Sequence, residues 1–258
     1  MINFAHGDFF MIGAFICLLV ITFFHWPFVL VLLAAMIGVT LLGIAVERIA
    51  YRPLRQAPRV SAIITALGVG IFLENLTLAF SPYPQAVPPI INNIYWTIGE
   101  VTISLLQVIT IFLSVVFMLI LYFIVQRTKV GIAMRAISWD KTIVPLMGVP
   151  VDRIVTITFA LGSSLAGAAG MMYALSYPVI DPYMGIMVGW KAFIAAVVGG
   201  IGDVRGAMIG GYLLGALEIL VVAFFPSTYR DFMIFSLLLV FLIFRPLGIF
   251  GKSKGQKL

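Results

Sequence analysis

Polar and apolar residues come in blocks along this chain rather than mixed. Long apolar runs cover roughly 9–25, 27–47, 60–80, 103–126, 153–176, 186–201, 206–225 and 230–248, separated by short polar or Pro-rich intervals. A membrane-crossing helix needs about 20 apolar residues, and most of these runs reach that length. None shows the polar–apolar alternation that a closed barrel requires. The pattern predicts an all-α polytopic membrane helix bundle of about eight transmembrane segments, forming a single domain over 1–258. The run 186–201 is short and rich in Gly, and predicts a broken helix.

The polar residues inside these runs are the informative exceptions. Glu74 and Asn75 lie well within 60–80. A charge at membrane depth is costly and normally faces the bundle interior or water. Glu74 is therefore a candidate for the substrate pathway or for a buried packing network. Lys191 is expected either to snorkel outward or to pair with a carboxylate, Glu74 or Glu218. The opening Met1-Ile2-Asn3-Phe4-Ala5-His6-Gly7-Asp8 enters the membrane at once, without the positive region of a signal peptide. His6 and Asp8 are placed at a helix mouth or inside the protein, and Asp8 also suits the first turn of a helix. Asn3, His6, Glu74, Asn75, Lys191, Gly199 and Gly200 form the candidate pathway set.

Glycine and proline punctuate the blocks. Nine of the 24 Gly fall within Gly185–Gly215. Gly206, Gly210 and Gly211 have roughly the small-xxx-small spacing that lets helix backbones approach. Gly199-Gly200-Ile201-Gly202-Asp203 is expected to break a helix, a feature tolerated at membrane depth only when buried in protein or lining a cavity. Gly68 and Gly70 are expected to interrupt the third run. Pro53 and Pro58 end any helix in 48–59. The interval 81–102, with four Pro, Tyr95 and Trp96, reads as a packed, extended outside loop. A weak echo relates Gly7-Asp8 with Met11-Ile12-Gly13 to Gly202-Asp203 with Met208-Ile209-Gly210, either a trace of duplicated halves or chance similarity in Gly-rich helices.

Charge orients the bundle. Of the 16 Lys and Arg, Arg48, Arg52, Arg55, Arg59, Arg127, Lys129, Arg135, Lys141, Arg153, Arg205, Arg245, Lys252, Lys254 and Lys257 all fall on one side when eight spans start from an inside N-terminus. Only Arg230 lies opposite, and Lys191 lies within a run. By the positive-inside rule that side is cytoplasmic, with both termini inside. The stretch 127–153 is the longest strongly charged interval and reads as a cytoplasmic loop.

Composition agrees: 62% of residues are hydrophobic and 10% charged, against about 25% charged in soluble domains. The net charge of +6 does not point to nucleic acid, because the basic residues sit between apolar runs instead of along a stripe. Membrane lipid is the surrounding medium. Chemistry motifs are scarce. Two His, His6 and His25, make a His-based metal site improbable, and Cys17 lies alone in an apolar run. Gly251-Lys252-Ser253 imitates the end of a phosphate-binding loop, but Pro246 stands where the first Gly is required. ATP-driven work would need an ATPase on another polypeptide.

The stretches INFAHGDFFMIGAF at 2–15, AYRPLRQAPRVSAIITALGVGIFLEN at 50–75, RTKVGIAMRAISWDKTIVPLMGV at 127–149, AVVGGIGDVRGAMIGGYLLGALE at 196–218 and RPLGIFG at 245–251 resemble the permease subunits of bacterial ABC importers for branched-chain amino acids. They follow the family's order over nearly the whole chain. Family members usually carry a further apolar helix ahead of the first stretch, so the chain is expected to lack that helix. The resemblance implies a non-catalytic transport subunit of the bacterial inner membrane. It implies as partners two ABC ATPases that bind ATP-Mg, a second related permease and a periplasmic solute-binding protein, with no cofactor in this chain. It also implies that Gly131, Arg135, Ala136, Asp140, Met147 and Gly148 belong to the segment that couples to the ATPases. Importers for urea or short amides share these motifs, and an ion-coupled secondary transporter or a passive channel are the readings outside the class.

Overall fold

The structure, a computed structural model, describes residues 5–55, 57–91, 94–140, 143–177 and 179–251. The candidate Asn3, and the charge-pattern residues Lys141, Lys252, Lys254 and Lys257, lie outside the described residues. Two short runs end and begin at a marked bend: α1 (His6–Phe24) closes on His25 in the left-handed region, and Pro27 caps α2 (Phe28–Val46). A π turn, Glu47–Tyr51, extends α2, and α3 (Arg59–Phe80) starts directly after Pro58. Three short strands follow, β1 (Gln85–Ala86), β2 (Tyr95–Ile98) and β3 (Val101–Ser104). Ser104 then opens α4 (Leu105–Arg127) with a reciprocal capping box with Gln107. The remaining elements are α5 (Lys129–Trp139), α6 (Val151–Ser176), β4 (Val179–Ile180), α7 (Met184–Gly199), α8 (Val204–Phe224) and α9 (Arg230–Phe244).

Seven of these helices, some with their adjoining turns, are long and apolar enough to cross a membrane, and α7 is a shorter apolar helix. The chain is a polytopic all-α membrane protein, and the blocks read from the sequence coincide with its helices. Three local expectations change. The third run is not interrupted: α3 is one continuous helix through Gly68 and Gly70. The outside interval is not simply extended: β2 and β3 form an antiparallel hairpin, Tyr95 opposite Ser104 and Ile98 opposite Val101, and β1 pairs with β4. The inside interval 127–153 holds a helix of its own, α5.

The chain divides into two compact units, 1–189 and 190–258, so that α7 passes from the first to the second after Gly189. The core of the first unit lies among α1, α2 and α6. Met11, Ala14, Val31, Ala35, Val39 and Met171 are completely buried there. Small residues bring the backbones together. A methyl group at Gly13 would stand 2.7 Å from the Cα of Gly167, and one at Gly167 would stand 2.6 Å from the Ala35 carbonyl. With lipid as solvent, such close van der Waals packing is what holds helices to one another. By contrast α4 buries none of its residues.

In the second unit α7 and α8 form a tight hairpin. Methyl groups at Gly199, Gly206 or Gly210 would collide with the backbone of the facing helix, as the small-residue spacing predicts for Gly206 and Gly210, whereas Gly211 has open space around it and takes no part in the close approach. Gly200 and Gly202 hold positive φ, 109° and 99°, in the turn between them. The predicted break at Gly199–Asp203 is this turn.

Candidate functional site

The predicted coupling residues belong to a segment folded back on the end of α4. Thr128 makes the corner: its hydroxyl donates to the Ile124 carbonyl (2.6 Å) and accepts from Gly131 N–H (3.1 Å). Gly131 is buried so closely against the carbonyls of Ile124 and Val125 that no side chain fits there. Arg135 donates to the Val125 carbonyl and to Gln126 Oε1 (3.1 Å), satisfying the open end of α4. Gly131 and Arg135 therefore seat α5, and Ala136 is half-buried. Asp140 accepts from Ile143 N–H (3.3 Å). A 3₁₀ turn, Val144–Met147, closes on Gly148, whose φ is 75° with open space around it. α6 begins three residues later.

This segment exposes several large apolar side chains beside its polar ones. Leu146 and Met147 are 86% and 78% exposed, and Ile132, Trp139 and Ile143 are exposed with them. Of these only Met147 stands in the predicted coupling set. The others were legible as apolar residues inside a charged interval.

Among the described residues, the candidate pathway residues of the first unit occupy different settings. Glu74 is buried and consecutive Asn75 is exposed, its side chain donating back to the Ile71 carbonyl of its own helix (2.7 Å). Glu74 faces Asp8, which is also buried, and their carboxyl groups are within hydrogen-bonding reach. Asp8 is the third residue of α1, yet its carboxylate lies against Gly70, the twelfth residue of α3; a methyl there would stand 2.5 Å from Oδ2. His6, the first residue of α1, lies beside Gly162, the twelfth residue of α6. α1 thus starts halfway along its neighbours. The first residues of α7 meet it there, with Gly185 and Gly189 packed on Gly7 and the unpartnered Asp8 Oδ1 against Gly185. The partial positive charge at a helix start favours a carboxylate at that place.

In the second unit Lys191 pairs with Glu218 (2.9 Å), as one of the two expected partners, and also with Asp231 (3.2 Å), which the sequence reading missed; Asp231 takes Arg230 at 3.4 Å as well. Two cations and two carboxylates form a balanced group across α7, α8 and α9. Gly199 and Gly200 serve backbone packing: the carbonyls of Val198 and Gly199 accept from the N–H groups of Ile249 (2.8 Å) and Phe250 (3.1 Å). The echo between Asp8 and Asp203 does not extend to structure, since Asp8 is buried inside α1 while Asp203 caps α8 by accepting from Arg205 and Gly206. Among the described residues no three His, Cys, Asp or Glu side chains come together to hold a metal.

In both units the basic intervals gather at one end. Arg52 and Arg55 both reach Asp152, which joins the 48–58 interval to the start of α6. The bonds from 249–250 to 198–199 bring the chain after Arg245 to the turn that precedes Arg205. Each unit is consistent with the orientation read from charge.

Residues 1–243 match the family model described as the branched-chain amino acid transport system permease component. The high-affinity branched-chain amino acid transport system permease proteins LivH of Salmonella typhimurium and of Escherichia coli K12 are each 36% identical, over 100% of this chain and 88% of their own length. The corresponding BraD of Pseudomonas aeruginosa is 37% identical over the same shares. No solved structure matches the chain.

Proposed function

The chain belongs to the family of branched-chain amino acid transport permease components, and on that premise we propose that it is the membrane-embedded subunit of a bacterial inner-membrane ABC importer for leucine, isoleucine and valine. ATP-Mg is bound and hydrolysed by two separate ATPase subunits. A second related permease completes the pathway, and a periplasmic binding protein delivers the amino acid. This chain performs no catalysis; it converts the closing and opening of the ATPases into a switch between inward- and outward-facing arrangements.

One observation carries the coupling part of this reading. The charged interval after α4 exposes a patch of apolar side chains on a scaffold fixed by Gly131, Thr128 and Arg135. Exposed apolar side chains at a polar membrane surface suit a protein groove. The patch runs directly into α6, which lies against α1 and α2 at the core of the first unit, so a push on it is delivered to packed helices.

The test is reconstitution of this chain with its ATPases, second permease and binding protein in proteoliposomes. ATP-dependent accumulation of labelled leucine, competed by isoleucine and valine, is the expected result. Accumulation of urea or short amides in place of leucine would change the substrate. Leucine uptake by this chain alone under a pH gradient would overturn the ABC reading.

A further inference from the structure

The inner ends of α2 and α6 are joined by one continuous set of ion pairs. Glu47 is completely buried; its carboxylate accepts from Arg55 and from the Thr156 hydroxyl (2.7 Å). Arg55, itself mostly buried, also reaches Asp152, and the second oxygen of Asp152 takes Arg52 at 2.6 Å. Glu47 opens the π turn at the end of α2, where Arg52 N–H reaches back to the Glu47 carbonyl (2.8 Å). Single π turns of this kind are uncommon and concentrate at functional positions. Asp152 and Thr156 lie in the first two turns of α6.

Stability alone does not account for this arrangement. Burying a carboxylate costs several kcal/mol, and apolar residues of similar volume often replace a buried ion pair without loss. What ion pairs add is direction: each bond holds only one geometry. The geometry held here is that of the α6 start against the α2 end, four residues beyond Gly148. A push on the 144–148 turn can be absorbed by bending the chain at the beginning of α6, or it can move α6 together with α2. The Glu47–Arg55–Asp152 bonds resist the first response.

We propose that Glu47, Arg55 and Asp152 are positioning residues for coupling, a tether that makes α2 and α6 move as one body when the ATPases act on the coupling segment. The proposal rests on the reading of this chain as an ABC importer permease. Arg52 is the outer, half-exposed member of the set, while Thr156 occupies the remaining buried oxygen of Glu47.

The experiment measures leucine uptake and ATP hydrolysis together in the complete reconstituted importer. The apolar pair Glu47→Leu with Arg55→Met preserves burial and removes the tether. Leucine carried per ATP is expected to fall by about fivefold or more, the scale of a modest coupling energy, with the hydrolysis rate and the amount of assembled complex kept. Asp152→Asn should lower the same ratio, and Asp152→Glu should restore it. An unchanged ratio in these variants overturns the proposal, whether uptake and hydrolysis are both normal or both fall with the amount of complex. Should the apolar pair fail to assemble, Asp152→Asn, at a half-exposed position, decides the question by its ratio. Absence of ATP-driven leucine uptake in the unaltered complex would instead overturn the functional reading itself.

Discussion

Asp8 and Glu74 face each other in the interior of the first unit, one near the start of α1 and the other nearly three-quarters of the way along α3. A hydrogen bond between two carboxyl groups needs one donor, and an amide at either position supplies it. Asp8→Asn and Glu74→Gln should therefore keep near-normal thermal stability in detergent. Asp8→Leu or Glu74→Leu should cost about 1–3 kcal/mol, because the remaining acid is left buried without its partner. A Leu variant that melts with the unaltered protein would show that the two groups do not depend on each other.

Two glycines in α3 separate space from flexibility. Gly70 leaves room for the Asp8 carboxylate, while Gly68 has nothing within 4 Å of a would-be methyl. Gly70→Ala should destabilise the protein by roughly 1–3 kcal/mol through overpacking. Gly68→Ala should be neutral or slightly stabilising, since Ala is the better helix former. The melting temperatures of the two variants, measured side by side, check this; equal losses would point to helix flexibility rather than to the Asp8 contact.

The helices were legible because lipid-facing helices need long apolar blocks, and those blocks are contiguous in sequence. What brings Glu47 to Thr156, or Arg55 to Asp152, leaves no such trace: the partners lie 109 and 97 residues apart. The sequence named Glu74 as a buried polar residue correctly but offered Lys191 as one of its partners, since charge complementarity alone cannot choose among the acids. Asp231 was overlooked as a partner of Lys191 because it opens a helix, where an acid already has a local explanation. The hairpin at 95–104 did leave a signal, β-branched and aromatic runs on either side of Gly99-Glu100, but the four prolines before it favoured an irregular loop. What seats α5 was not legible: its apolar residues suit a short amphipathic helix, but its packing on the end of α4 rests on Thr128, Gly131 and Arg135 reaching back to 124–126.

Lys191 holds two acids, so its loss is predicted to be worse than the loss of any one of them. Lys191→Met leaves Glu218 and Asp231 without their shared cation. It should reduce the amount of folded protein recovered from membranes, and adding Glu218→Met should recover part of it. A double-mutant cycle on melting temperature should show non-additivity, as for groups in one network. Strict additivity would mean that the pair does not interact.

Gly148 is a test of backbone conformation rather than of space. Its φ of 75° lies in the left-handed region and no atom crowds it. Asn enters that region far more readily than a β-branched residue does. Gly148→Asn should therefore retain most leucine uptake, whereas Gly148→Val should lose it while inserting normally into the membrane. Equal uptake by the two variants, or normal ATP-driven uptake by the Val variant, would remove this turn from the coupling assignment.

The apolar patch supplies the last prediction. Leu146 and Met147 are the two most exposed large hydrophobic residues of the coupling segment, and Trp139 is 69% exposed on the end of α5. Their removal takes nothing from the packing of this chain, so its own stability should not change. Interface anchors of this size commonly contribute about 2 kcal/mol or more each when buried against a partner. Leu146→Ala with Met147→Ala should therefore weaken retention of the ATPase subunits during purification, and Trp139→Ala should do the same. Lys129, an exposed charged residue at the start of α5 outside the predicted coupling set, serves as the contrast, since rim charges contribute little to affinity. Unchanged recovery of ATPase with all three apolar residues truncated would mean that the partner binds elsewhere, and the outward face of α5 and the Val144–Met147 turn would lose its assignment.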